Sequence, residues 1–393
     1  MTFPTMEKTL SVKNVETLAF YLHSAVALFF YDVWEFLRDA PFLLMGKHKI
    51  IYAEQAGHLP VPSHKRIAVV AIRPSREILP FTLNLLRGLA ENGFFILCVS
   101  TSRLQGETKE QILSHSHHLI ERYPIGRDFG SYKIALEWLE KRSFYAQAEL
   151  LALINDSVFY TKDTGASIAE LLKKGEASDW LGLYENFECR YHVQSYFQIL
   201  RAPAFRSRAF INFWKQYLPF SSRRHSVKNG EAGFTRILKN AGFKPYILYN
   251  TVRIHDDVLK RLREKPAAED KQFRYIVFLT ANRVLKTWRD SLPSNKFEDS
   301  LTMEPEDLLR RVSVIMEFKN PTHAVGLLCN FLYGAGLKRD ICYSGAHPIA
   351  DIVSLSSGYS PEEMENMAVD LRLKGTAASS MSTGKILRIY GRI

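Results

Sequence analysis

The sequence predicts an α/β fold, with short buried strands alternating with amphipathic helices from Arg66 onward. Three observations predict it. Apolar runs such as Ile67-Ala68-Val69-Val70-Ala71-Ile72 and Leu150-Leu151-Ala152-Leu153-Ile154 read as short strands of a buried sheet. Between such runs, apolar residues recur at helical spacing, as Ile78, Phe81, Leu85 and Leu89 do before the stop at Asn92-Gly93. The 46% hydrophobic and 12% aromatic content of the 393 residues is that of a folded chain able to bury a substantial core.

Each element follows in order. Ile67 to Ile72 is the first strand, the Arg73-Pro74-Ser75 loop leads to the first helix, and Phe94 to Val99 is the second strand. Ile112, Leu119, Ile120 and Tyr123 mark the next helix, and Tyr132, Ala135, Leu136 and Leu139 the one after it. Glu149 to Ile154 is a buried strand, Ile168, Leu171 and Leu172 a short helix, and Asp179 to Leu183 a further strand. Tyr191 to Leu200 alternates like a strand. Phe210, Phe213, Trp214 and Tyr217 line one helix, and Phe234, Ile237, Leu238 and Ala241 line another that Gly242 caps. After about Val252 the strand signal ends and helical patterns take over, among them one at Phe273, Ile276, Val277, Val284 and Trp288 and one opened by Pro321-Thr322. Ser360-Pro361-Glu362-Glu363 is a helix start, and the small polar stretch Gly375 to Gly384 reads as a loop. The expected organisation is an N-terminal apolar or amphipathic helical segment over 1–62, an α/β domain over 63–255 and a separate helical region over 256–393.

Charge and cysteine usage bound the partners and the compartment. Lys and Arg number 52 against 41 Asp and Glu, a formal charge of +11 that suits an anionic partner such as a nucleotide sugar or an anionic lipid. No nucleic-acid-binding module is present, so nucleic acid is not an expected partner. Cys98, Cys189, Cys329 and Cys342 lie far apart with no metal or redox spacing, which fits a reducing, cytoplasmic compartment. Residues Leu18 to Leu44 are rich in Phe, Leu, Tyr and Trp, but His23, Asp32, Glu35, Arg38 and Asp39 interrupt them, and Lys47-His48-Lys49 follow. That pattern suits a helix lying in a membrane interface, or one packed on the domain, rather than one spanning a bilayer.

Two motifs carry chemistry. Gly126-Arg127-Asp128-Phe129-Gly130-Ser131-Tyr132-Lys133 opens a helix, where Gly130 allows close backbone approach to a phosphate and Arg127 and Lys133 meet anionic charge. Asn155-Asp156-Ser157 ends a strand with oxygen donors suited to Mg²⁺ or Mn²⁺, the cations that a diphosphate leaving group uses. Together they outline a nucleotide-sugar site. Further along, His192, Gln194 and Tyr196 lie in a strand able to bind sugar hydroxyls, Asp179 and Trp180 are candidates for shaping the same cleft, and Glu231 precedes an amphipathic helix.

With these residues, the chain resembles the rhamnan synthesis protein F family of bacterial polysaccharide-assembly proteins. The resemblance rests on the glycine motif, Asn155-Asp156-Ser157-Val158, Asp179-Trp180-Leu181-Gly182, His192-Val193-Gln194-Ser195-Tyr196-Phe197 and Phe213-Trp214, with Asn320-Pro321-Thr322-His323 and Lys338-Arg339-Asp340 later on. It implies a GT-A-like, Rossmann-type nucleotide-sugar domain followed by an acceptor-binding half. Arg127, Asp128, Gly130, Lys133 and Asp156 would then bind the donor, a dTDP-, GDP- or UDP-sugar. Asn155, Asp156 and Ser157 would stand at the Asp-x-Asp metal motif, though with one carboxylate where two are usual. Pro124 and Tyr160-Thr161 also depart from the family pattern. Glu231, or His192, would be the catalytic base, and Asp179, Trp180, Gln194 and Tyr196 would face the acceptor. The implied activity is inverting transfer of rhamnose or another deoxyhexose to a lipid-linked cell-surface glycan, of O-antigen or rhamnan type, at the inner face of the cytoplasmic membrane beside other assembly enzymes. The alternative is a non-catalytic scaffold that retains the fold.

Overall fold

The computed structural model describes residues 26, 29–30, 33–62, 65–73, 77–187, 190–266, 269–288, 320–344 and 349–374. The strands in chain order begin with β1 (Ile51–Ala56), β2 (Arg66–Ile72), β3 (Phe95–Ser100), β4 (His118–Arg122), β5 (Leu150–Asn155) and β6 (Val158–Phe159). They continue with β7 (Trp180–Gly182), β8 (Glu185–Asn186), β9 (His192–Val193), β10 (Phe197–Arg201), β11 (Pro245–Ile247) and β12 (Leu337–Lys338). Eight form one mixed sheet in the order β1-β4-β3-β2-β5-β10-β7-β11. β4, β3, β2 and β5 run parallel, while β1 and β10 pair antiparallel at either end of that block. The chain leaves β2 toward β3 on one side and returns to β5 on the other, so a crevice opens at the carboxyl ends of β2 and β5.

Helices cover both faces. They are α1 (33–44), α2 (Pro80–Glu91), α3 (Gly106–Ser114), α4 (Arg127–Lys141), α5 (Thr164–Lys174), α6 (Ala202–Phe205) and α7 (Arg208–Gln216). A continuous helical stretch follows as α8 (Arg223–His225), a π-turn (Ser226–Glu231) and α9 (Ala232–Asn240), and then come α10 (Thr251–Glu264) and α11 (Lys271–Trp288). Because strand side chains alternate, β2 feeds two cores. Ala68, Val70 and Ile72 join Phe81, Leu85 and Leu89 of α2 in one, while Ile67, Val69 and Ala71 join Leu136 and Leu139 of α4, Trp214 and Phe234 in the other. A residue buried on both faces of a sheet has no polar alternation to display, which is why these strands read as apolar runs.

Three expectations change. Leu119 and Ile120 belong to β4 and not to a helix, because a short apolar run flanked by polar residues has no decisive period and burial between β3 and β1 selects the strand. The 1–62 segment is not helical throughout, since β1 lies within it and extends the sheet as an edge strand. Nor do the described residues of 256–393 form a layer of their own. Phe273, Ile276, Leu327, Leu328, Leu337 and Leu371 share the core that holds α2, and β12 pairs with β6. The expected helix start at Ser360 holds as a reciprocal cap, with Glu363 N–H on Ser360 Oγ at 3.2 Å and Ser360 N–H on Glu363 Oε2 at 2.8 Å. The expected loop from Gly375 to Gly384 lies outside the described residues.

Candidate active site

The glycine motif folds around a buried arginine. Arg122, at the end of β4, has no exposed surface, and its guanidinium donates to Ser131 Oγ at 3.0 Å and to the carbonyls of Tyr123, Ile125 and Arg127 at 2.9, 2.6 and 2.5 Å. Burial lowers this group to about 9, so it stays charged at neutral pH. Four bonds to one rigid fork fix the turn that launches α4. Gly126 takes φ 82° there, and Gly130 leaves room for the fork, since a Cβ on it would meet the guanidinium nitrogens at 2.9 and 3.0 Å. The turn presents Arg127 and Asp128 at the α4 N-terminus, beside the carboxyl end of β5.

At that strand end the donors bind one another. Asn155 Nδ2 donates to Asp128 Oδ2 at 2.7 Å, while Asn155 Oδ1 accepts from Ser157 N–H at 3.1 Å and Ser157 Oγ at 2.5 Å. Asp156 Oδ2 accepts Arg73 N–H at 2.9 Å, which ties the end of β5 to the end of β2. From the C-terminal part, Lys338 donates to Ser157 Oγ at 2.7 Å and stands 4.2 Å from the centroid of Tyr196. Burial raises the Asp128 carboxyl, with Asp156 and Glu231 adding to the rise and Arg127 and Lys338 opposing it. For the Lys338 ammonium, burial lowers the value while Asp340, Glu231 and Asp128 pull the other way.

Mg²⁺ or Mn²⁺ needs several oxygens converging on one point. The residues present do not fit that requirement. Asn155 Oδ1 and Ser157 Oγ are taken up with each other, Ser157 Oγ also accepts from the Lys338 ammonium, and Asp156 Oδ2 accepts from the Arg73 backbone. Among the described residues no cluster of three His, Cys, Asp or Glu is placed to hold a metal.

The cleft that these elements line measures about 420 Å³, and Glu231 lines it as well. The π-turn that precedes α9 turns this residue inward, a local irregularity that re-aims a side chain from an otherwise regular helix. Its Oε1 accepts from Ser195 Oγ at 2.7 Å, and its Oε2 lies 3.2 Å from Nε2 of buried His192, whose Nδ1 sits 2.8 Å from Arg190 O. Burial raises the Glu231 carboxyl, but His192, Ser195 and Lys338 outweigh it and hold it below the usual value. Asp340 is held well below its usual value too. Burial acts upward there, and His323 at 2.8 Å, Lys338 and Arg223 at 3.3 Å prevail.

Arg127, Asp128, Asn155, Ser157, His192, Gln194 and Glu231 therefore meet in one cleft. Other expected site residues stand elsewhere. Lys133 reaches away and donates to the carbonyls of Lys215 and Tyr217 at 3.2 and 2.7 Å, which satisfies an ammonium that the α4 helix buries. Trp180 is fully buried and donates to Gln198 Oε1 at 2.9 Å, its neighbour Asp179 contributes a carbonyl to Arg201 N–H, and Gly130 packs on Arg122. Tyr196 is buried beneath Lys338. Ser195, Arg223, Asn320, His323, Lys338 and Asp340 have no expected role, yet all six line the cleft. The signal for Asn320, His323, Lys338 and Asp340 is a pair of polar motifs flanking the apolar stretch Leu327 to Leu332, and Ser195 lies within the His192 to Phe197 motif.

Residues 96–269 match the profile described as rhamnan synthesis protein F. This segment is a rhamnan synthesis protein F match. It includes the α4 turn, the end of β5, His192 and Glu231, whereas Lys338 and Asp340 lie beyond it. The chain is also similar to an uncharacterized protein, y4gN, of Sinorhizobium fredii, at 26% identity over 206 residues, which are 51% of this chain and 52% of that one. The chain thus spans about half the length of this curated relative. Among solved structures, it is similar to a mannosyltransferase from Pyrobaculum calidifontis in complex with GDP-Man and Mn²⁺, with TM-score 0.30, 12% identity, and 91% of this chain and 98% of that one covered. A likeness that low carries no argument about the chemistry of this chain.

Proposed function

We propose that the protein is a nucleotide-sugar-dependent glycosyltransferase of GT-A-like architecture, acting in the assembly of a surface polysaccharide. The family match and the strand order, with an antiparallel strand beyond β5 at a switch-point crevice, support this reading. One observation carries it furthest. A carboxylate, Glu231, is held ionised by His192 and Ser195 in the same cleft as the basic Arg127 and Lys338. Glycosyl transfer needs both, a base for the acceptor proton and positive charge for the diphosphate. Glu231 is the base in an inverting displacement, His192 and Ser195 orient it, Arg127 and Asp128 bind the donor, and Gln194 faces the acceptor. The donor is a dTDP-, GDP- or UDP-sugar, with rhamnose or another deoxyhexose as the sugar, and the acceptor is a lipid-linked glycan.

A peripheral position at the inner membrane face belongs to the same proposal. Phe30, Trp34 and Leu37 are 66%, 63% and 59% exposed, and the basic Lys47 and Lys49 follow the helix in sequence. Among the described residues no helix is long and apolar enough to cross a membrane. The helix is also anchored to the domain, since Phe36 stacks on Phe220 at 5.2 Å and Asp39 Oδ2 accepts Ser221 N–H at 2.7 Å.

The test incubates purified protein with a panel of nucleotide sugars and a lipid-linked acceptor, and follows release of nucleoside diphosphate. Glu231→Gln should lower kcat by ~10²–10⁴-fold and leave donor affinity within ~2-fold. Unchanged turnover removes Glu231 from the base role. Donor binding without release in the wild type favours the non-catalytic scaffold, and no donor binding at all rejects the nucleotide-sugar reading.

A further inference from the structure

A departing diphosphate collects charge on the oxygen it takes with it, and that charge needs a positive partner. Where a hard cation would sit, at the end of β5, the chain supplies a side chain of its own. β12 pairs with β6 so that Lys338 stands opposite Val158, next to Ser157. The ammonium is 2.7 Å from Ser157 Oγ, and among the described residues this is the one hydrogen bond it makes. An ammonium has three donors, so it retains capacity for an anion. Arg127 at the start of α4 and Arg223 on α8 line the same cleft. Asn155 Oδ1 is occupied by Ser157, so a divalent ion at this motif would first have to break those bonds and expel Lys338.

We propose that Lys338, aided by Arg127 and Arg223, binds the diphosphate of the nucleotide and stabilises it as leaving group in place of a divalent metal ion. The inference rests on the nucleotide-sugar reading above. In the transfer step the acceptor oxygen forms a bond to the anomeric carbon while the bond from that carbon to the diphosphate oxygen breaks. The acceptor proton passes to Glu231, and the bonding electron pair leaves on the diphosphate beside Lys338.

Calorimetric titration with UDP, GDP and dTDP tests this, each in EDTA and in Mn²⁺, on the wild type and on Lys338→Met and Lys338→Arg. The expected result is wild-type affinity that chelation leaves unchanged, a loss of about tenfold or more in Lys338→Met (about 1.4 kcal/mol), and recovery in Lys338→Arg. The wild-type comparison stands even if a variant misfolds. Binding that requires Mn²⁺, or that survives Lys338→Met in a folded protein, overturns the inference and leaves the transferase reading intact. Binding of no diphosphate in either condition overturns both.

Discussion

Gly130→Ala separates two roles for the glycine motif. If Gly130 serves to let backbone approach a phosphate, a methyl there costs donor affinity while the helix gains stability, because Ala exceeds Gly by ~1 kcal/mol in a helix interior. The structure predicts the opposite sign. Gly130 lies within α4, so the helical gain applies, but its Cβ would meet both Arg122 guanidinium nitrogens at 2.9 and 3.0 Å and the Ile125 carbonyl closer still, where ordinary contacts are 3.4–4 Å. That carbonyl accepts Arg122 Nη1 at 2.6 Å, so relief of the clash strains or breaks a charged hydrogen bond. Such a bond contributes about 1.5–3 kcal/mol and overpacking costs about 1–3 kcal/mol, which together exceed the helical gain. The variant should therefore be less stable by about 1.5–5 kcal/mol, read from the urea midpoint at unchanged slope. Nucleotide affinity of the folded fraction should fall only as far as the Arg127 turn shifts. A variant more stable than the wild type, with donor binding lost, would refute the packing argument.

Trp180→Phe should cost about 1 kcal/mol through the lost bond to Gln198 and leave KM for the acceptor unchanged; a selective rise in that KM returns Trp180 to the acceptor site. Asp340 has a folded value well below 3.8, so its contribution to stability is present above that unfolded value and is lost as pH falls through the folded one. A series of urea midpoints against pH should accordingly show a shallower acid limb in Asp340→Asn than in the wild type, and identical slopes would disprove the coupling to His323 and Arg223. Trp34→Ser with Leu37→Ser should reduce cosedimentation with vesicles containing anionic lipid while leaving nucleotide binding unchanged. Equal cosedimentation would show that the exposed face of α1 does not meet lipid.

The α/β pattern, the helix starting at Arg127 and the strand ending at Asn155 were legible in the sequence because each is a local signal. Apolar runs mark strands buried on both faces, and Gly126 marks a left-handed turn that a side chain resists. The convergence of Asp128, Asn155, His192 and Glu231 was partly legible, since their motifs follow strand ends and helix starts where an open sheet places its crevice. What each polar group faces was not. Lys133 looked like a phosphate ligand, yet it points into carbonyls on the far side of its helix, a direction set by rotamer and packing and not by residue type. Gly130 looked like an approach to phosphate and instead makes room for Arg122. Lys338 is 181 residues from the serine it touches. A pairing across that distance leaves no periodicity in either segment, so only the tertiary structure, through the registry of β12 on β6, decided that a lysine stands where the sequence suggested a metal ion.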